Sequence, residues 1–357
     1  MSRVEELARR EICRMENYRV QPVTGEKLDA NESPFPLSDG LKARLADWLT
    51  KEEDLRVYPD TDCVELREAL AEKYGVKKEN LLCAVGSDQL IDFLNRAFLE
   101  EGDRVLVPEP SFSMYALSAV LNHGQAEAFS LDEDYAYPVE EILEQCCRVR
   151  PKILYLCTPN NPTGNRIPEA DLRRLVKEAG CIVALDEAYG EFCKEDHTSW
   201  IREFPHMVIL KTFSKAYGLA GIRAGYALGD PEIIGILDRV RPPYNLGTLS
   251  QKIALFALTQ PEYKEQIEAI CKERDRIYDA LKIYNGKKGF FVYPSEANFL
   301  LIKFGRENPG QALLAAGLLV RAYGGKMSRF VRATVGRPDQ NDRLIRRIAR
   351  MIEEDEE

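Results

Sequence analysis

The sequence predicts an α/β protein with a mostly parallel central sheet covered by helices on both faces, followed by a smaller α+β domain. Three observations predict it. From about residue 60 to residue 245, short apolar runs alternate with stretches of helical periodicity. The residues with unusual chemistry fall directly after those apolar runs. Beyond residue 245 the alternation stops, and a long charged helical stretch leads into further strand-like runs.

Taken in order, residues 1–20 read as a short helix, charged and without the apolar centre of a secretory signal. Residues 21–36 carry Pro22, Gly25, Pro34 and Pro36 and read as an extended arm. Val64–Tyr74 reads as a helix, and LLCAV (81–85) as a strand before Gly86. Ile91, Leu94, Ala97 and Phe98 recur at helical spacing. RVLVP (104–108) is a strand with a helix near 112–122 after it; KILYLC (152–157) is a strand with a helix over 168–179. CIVAL (181–185), MVILK (207–211) and IRAGYAL (222–228) are strands. A helix near 249–283 follows, then the strands FFVYP, NFLLIKF and FVRATV with helices near 310–317 and 339–354. The expected division is an N-terminal arm over 1–45 packing with the small domain, a large α/β domain over 46–245, and a small α+β domain over 246–357.

The composition narrows the function. With 357 residues, 45% hydrophobic and 30% charged, the chain has an ordinary globular profile with material for a large core. A net charge of −9 without a Lys/Arg block argues against a nucleic-acid surface. No apolar run approaches the ~18 residues of a membrane span. Nine cysteines without a C-x-x-C suggest reduced thiols in a cytoplasmic protein, and no metal site is expected. His123, His197 and His206 are far apart and read as surface or packing residues.

Five segments carry the chemistry: Gly86-Ser87-Asp88, Pro110-Ser111-Phe112, Thr158 to Gly164, Asp186 to Tyr189, and Thr212 to Lys215. Each follows a predicted strand, and open α/β sheets bind ligands outside the carboxyl ends of their strands. Gly86-Ser87-Asp88 opens a helix, where free N–H groups favour a phosphate. Thr212, Ser214 and Arg223 can add donors to the same anion. Asp186 ends an apolar strand and needs a cationic or hydrogen-bonding partner; a protonated pyridine nitrogen is one. Lys215 follows an apolar segment, and burial there would lower its pKa and favour imine chemistry. Asn161 and Tyr189 can bond a phenolic oxygen, and Phe112 can stack on an aromatic ring. Each has a plainer reading alone: a helix cap for Asp186, a solvated cation for Lys215 or Arg223, core for Phe112, a turn for Asn161. Their order and spacing together favour one site.

The segments CTPNNPTG, LDEAY and KTFSKAYGLAGIRAGY resemble the fold-type I aminotransferases that use pyridoxal 5′-phosphate (PLP), above all in the seven residues between Lys215 and Arg223. The likeness runs from about Leu7 to Ile352 and implies a three-layer PLP-transferase fold. KLDANESPF (27–35), VYPD…ELREALA (57–71), VGSDQLID (85–92), PEPSFSMY (108–115) and FVRATVGRPDQN (330–341) are similar to segments of the histidinol-phosphate aminotransferases. The resemblance implies that Lys215 carries the cofactor and moves the substrate proton, Asp186 pairs with the ring nitrogen, and Asn161 and Tyr189 contact the ring hydroxyl. It places Phe112 on the ring and Ser87, Asp88, Thr212, Ser214 and Arg223 around the phosphate. Tyr58 is expected to reach the cofactor phosphate of a partner subunit, which implies a homodimer. Arg332 and Arg321 match substrate-anion arginines, with Tyr18 and Asn31 of the arm as further substrate contacts. The implied substrates are L-histidinol phosphate with 2-oxoglutarate, and imidazole acetol phosphate with L-glutamate.

Two departures stand out. Gln89 replaces a glutamate common in that family, and Phe35-Pro36-Leu37 replaces its usual Gly-Pro segment. An aromatic amino-acid aminotransferase and a threonine-phosphate decarboxylase fit the same scaffold. A domain used only for binding does not fit a chain that retains every cofactor group.

Overall fold

The structure, a computed structural model, describes residues 4–15, 25–51 and 55–354. An edge strand β1 (Glu26–Leu28) precedes the main α/β body. That body contains β2 (Leu81–Ala84), β3 (Arg104–Glu109), β4 (Gln125–Ser130), β5 (Ile153–Cys157), β6 (Ile182–Asp186), β7 (Met207–Thr212) and β8 (Gly225–Gly229). These form one sheet in the order β2-β8-β7-β6-β5-β3-β4. Pairing is parallel from β7 through to β4, whereas β8 runs antiparallel to both of its neighbours.

The continuous apolar runs of β5 and β7 are buried along their whole length, as strands covered on both faces must be. Alternate side chains enter separate cores. Leu154, Leu156, Leu185 and Ile209 pack on one face; Ile153, Tyr155, Ala184, Val208 and Leu210 pack on the other. The chain leaves β3 outward to β4 and returns to β5 on the far side, so the order reverses between β3 and β5. The carboxyl ends of β2, β3, β5, β6 and β7 open on one edge. The start of β8 joins them there, with Gly225 opposite Ala84 and Thr212.

Four strands complete a second sheet with β1: β9 (Phe291–Val292), β10 (Phe299–Lys303), β11 (Leu318–Ala322) and β12 (Phe330–Thr334), in the order β1-β11-β12-β10-β9. The extended segment near residue 26 thus becomes a parallel edge strand, Glu26 opposite Leu318. Helix Pro338–Glu354 buries Leu344, Ile348, Met351 and Ile352 on one stripe.

Several elements differ from expectation. The helix expected over 249–283 is two helices, Thr248–Leu258 and Glu262–Lys282. Pro261 has no N–H to donate and restricts Gln260, which ends the first helix. The strand expected at 222 starts at Gly225, because Ala220–Ile222 forms a 3-10 turn and Arg223 sits at φ 50°. The FFVYP run yields only Phe291–Val292. Among the described residues, the amino-terminal helix covers Arg10–Cys13 after a 3-10 turn at Glu5–Leu7. Among the described residues, no helix is long and apolar enough to cross a membrane, and no group of three or more His, Cys, Asp or Glu could hold a metal ion.

Candidate active site

The edge where five strand ends meet collects most of the chemistry-bearing residues. At the phosphate-type cradle, helix Gly86–Phe98 begins without a side-chain cap at Val85, which leaves amide N–H groups at its start for another acceptor. Arg223 closes the other side, with Nη2 3.2 Å from Asp88 Oδ2 and Nη1 donating to Ser214 Oγ at 3.3 Å. The Ser214 N–H donates to Thr212 Oγ1 at 3.1 Å. Two glycines keep this cradle narrow. A Cβ on Gly86, itself at φ 74°, would lie 2.9 Å from Arg223 Nη2, and one on Gly225 would lie 2.9 Å from Ser87 N. Gln89, the departure from the family, has a local role: its Oε1 accepts from Val85 N–H at 2.9 Å and from Asn245 Nδ2 at 2.8 Å.

Asp186, at the end of β6, is 3% exposed. Its Oδ2 accepts from Tyr115 Oη at 2.7 Å and its Oδ1 from Ala188 N–H at 3.0 Å. Burial pushes its pKa up to about 6, against the pull of those two hydrogen bonds. Tyr115 escaped sequence reading; its spacing three residues after Phe112 was the available signal, since the turn that enters helix Met114–Leu121 puts the two rings 5.7 Å apart, edge to face. Asn160 also escaped it. Fully buried, it receives Ser111 Oγ at 2.6 Å and donates to Pro110 O at 3.0 Å and Thr163 Oγ1 at 2.7 Å, knitting together the loops after β3 and β5.

Lys215 lies beyond β7. Burial lowers its pKa to about 8, helped by the nearby Arg332 cation. Its Nζ donates to the Ala30 carbonyl at 2.9 Å and sits 5.8 Å from the centre of the Tyr189 ring. Tyr189 receives Asn31 Nδ2 at 2.8 Å and meets Phe299 edge to face at 5.1 Å. Asn31 gives both ends of its side chain to protein, the other end meeting Thr334 Oγ1 at 3.2 Å.

Arg332, on β12, is 8% exposed. Its Nη1 donates to Asn161 Oδ1 at 2.6 Å and its Nη2 to Asp29 O at 2.5 Å, while its buried Nε has no hydrogen-bond partner among the described residues. Arg321 on β11 stands directly opposite Arg332 in the antiparallel register, so the two side chains leave the same face of the sheet. Phe35, Pro36 and Leu37 line a small cavity with Tyr217, Gly218 and Tyr263.

Tyr58, expected at a partner subunit's cofactor, lies outside this group. Tyr58 is 77% exposed and stacks on Tyr244, ring centres 4.5 Å apart. Tyr18 lies outside the described residues. Of the histidines, His197 is buried with Nδ1 2.6 Å from Glu187 Oε1, and His206 Nε2 lies 2.8 Å from Val176 O; both have packing roles.

The donor set fits PLP. The cradle suits a phosphate, Asp186 is a buried carboxylate with no cation beside it among the described residues and suits a protonated ring nitrogen, and Lys215 is a lysine drawn toward its neutral form. Fold and site together define a PLP-dependent transferase. The family described as Aminotransferase class I and II matches residues 24–348, and the chain belongs to that family. It is 40% identical over 350 residues to the histidinol-phosphate aminotransferase of Ruminiclostridium cellulolyticum, covering 96% of this chain and 97% of that one. The same enzyme of Caldanaerobacter subterraneus subsp. tengcongensis is 40% identical over 353 residues, covering 98% and 99%. Among solved structures, histidinol-phosphate aminotransferase from Sinorhizobium meliloti in complex with pyridoxal-5′-phosphate superposes with TM-score 0.81 at 25% identity, covering 92% of this chain and 90% of that one.

Proposed function

We propose that the chain interconverts L-histidinol phosphate and 2-oxoglutarate with imidazole acetol phosphate and L-glutamate, as a cytoplasmic enzyme of histidine biosynthesis. The bound cofactor supplies an aldehyde for the substrate amine and a ring that accepts electrons. Ser87, Asp88, Thr212, Ser214 and Arg223 hold its phosphate, and Phe112 packs on its ring. Asp186 keeps a proton on the ring nitrogen, while Asn161 and Tyr189 bond the ring oxygen. Lys215 moves the proton between the substrate α-carbon and the C4′ carbon; a pKa near 8 suits it to accept and return that proton near neutral pH.

The observation that carries the substrate reading is the arginine pair. Arg332 is buried near Lys215, its Nε without a hydrogen-bond partner among the described residues, and Arg321 stands opposite it, so two guanidinium cations share one face of the small sheet. A phosphate ester dianion suits two such forks, and Arg332 takes the α-carboxylate of glutamate in the other half-reaction. In a homodimer the exposed Tyr58 would serve a partner's cofactor phosphate; a monomer at assay concentrations by sedimentation would remove that role.

Steady-state kinetics with PLP-loaded protein test the reading. The expected result is a kcat/KM for histidinol phosphate well above that for phenylalanine, with no CO2 from threonine phosphate. Preference for phenylalanine would make the chain an aromatic aminotransferase, and CO2 release would make it a decarboxylase.

A further inference from the structure

Tyr189 is held by a line of hydrogen bonds from the second sheet, and that line has a direction. Thr334 Oγ1 accepts the backbone N–H of Asn31 at 2.9 Å, a bond that can run only one way. The single Thr334 hydroxyl hydrogen then has Asn31 Oδ1, 3.2 Å away, as its acceptor. With the amide oxygen committed to Thr334, the amide nitrogen faces Tyr189 and donates to Oη at 2.8 Å. Asn298 Nδ2 pins the Asn31 carbonyl at 3.0 Å, and Asn31 is buried at φ 54°, so the amide has little room to turn.

We propose that Thr334 and Asn31 are positioning residues that fix the hydrogen-bond sense of Tyr189. Each link donates toward the site: Thr334 to Asn31, Asn31 to Tyr189, and the Tyr189 hydroxyl onward to the cofactor's ring oxygen. Because Tyr189 already accepts a bond, its own proton is left to point away from Asn31. Burial pushes the hydroxyl above its ordinary pKa, so that proton is present at neutral pH. Donation to the ring oxygen favours its anionic form and so lowers the pH at which the bound cofactor loses its proton. Thr334 lies two residues beyond Arg332 on β12, so one strand of the small sheet serves both the substrate anion and the cofactor. This inference rests on the PLP reading above.

The test is a pH titration of the visible absorption band of the PLP-loaded protein. Thr334→Val removes the hydroxyl while keeping the shape, and its midpoint should rise by about half a pH unit, the size of one weakened neutral hydrogen bond. Thr334→Ser should restore the wild-type midpoint. In a Tyr189→Phe background, Thr334→Val should have no further effect, because the line then has no end. A Thr334→Val midpoint equal to wild type, or a shift that persists in Tyr189→Phe, would overturn the proposal. If Thr334→Val does not fold, Thr334→Ala serves the same comparison. A wild-type protein with no visible band after loading would instead overturn the PLP reading itself.

Discussion

Asp186 and Glu187 are consecutive, and so are Lys211 and Thr212, yet the two faces of the sheet treat them in opposite ways. Asp186 and Thr212 face the site. Glu187 and Lys211 face the rear core, where Lys211 Nζ lies 2.7 Å from Glu187 Oε2, close enough for an ion pair though not aligned as a hydrogen bond. Burial alone would raise the Glu187 carboxyl, but Lys211 and His197 outweigh it and hold it below the usual range. Burial would lower Lys211, but Glu187 and Glu191 drive it well above its ordinary value. In front, burial outweighs the hydrogen bonds from Tyr115 and Ala188, so Asp186 rises to about 6, and burial with the Arg332 cation brings Lys215 down to about 8. The same residue types are locked in their charged forms behind the sheet and moved toward neutrality before it. The difference teaches that pairing, more than burial, decides which acid and which lysine stay reactive.

The sharpest break would come from Lys215→Ala, which should lower turnover by about 10^4-fold while leaving the fold intact by circular dichroism. An undiminished rate would remove the reactive member of the comparison. Behind the sheet, Lys211→Met should leave Glu187 buried with only His197 beside it and destabilise by about 3–5 kcal/mol in denaturant unfolding. Adding Glu187→Leu should recover much of that loss; an additive double variant would mean the two groups do not act as a pair.

Asp186→Asn should have the opposite sign. The folded pKa, about 6, lies above the ordinary 3.8 of an exposed aspartate, so the folded state resists charging. That penalty is absent below about pH 3.8, grows up to pH 6 and then stays constant, reaching roughly 3 kcal/mol. Cofactor-free Asp186→Asn should therefore be more stable than the wild type at pH 8 by up to that amount, with the gain gone near pH 4. Equal stabilities at both pH values would contradict the account. The smallest effect belongs to the exposed pair Lys78–Glu68, 3.4 Å apart, where Lys78→Gln should change stability by about 0.5 kcal/mol or less.

The same contrast explains what was legible in the sequence. β5, β6 and β7 were readable because buried parallel strands need unbroken apolar runs, and the site residues follow them directly. β4 was not, because an edge strand of sequence QAEAFS is half polar. The division of the 249–283 helix was missed although Pro261 marked it, since helical periodicity continues on both sides. Glu187 and Lys211 looked unremarkable because their meeting depends on neighbouring strands coming into register. Asn31 was read as a substrate contact from its segment; its bonds to Thr334 and Tyr189 join residues 303 and 158 positions away, which no local pattern encodes.

One reversed strand has a topological consequence. A parallel strand in the place of β8 would begin at the opposite rim of the sheet, about 16 Å away for five residues. Because β8 descends instead of climbing, the polypeptide leaving β7 can turn over the rim without crossing it. The lysine and the phosphate-facing arginine thus sit on one short bend between adjacent strands. Lengthening or shortening that bend would misalign both groups at once, which leaves the stretch from Phe213 to Ala224 little tolerance for an insertion.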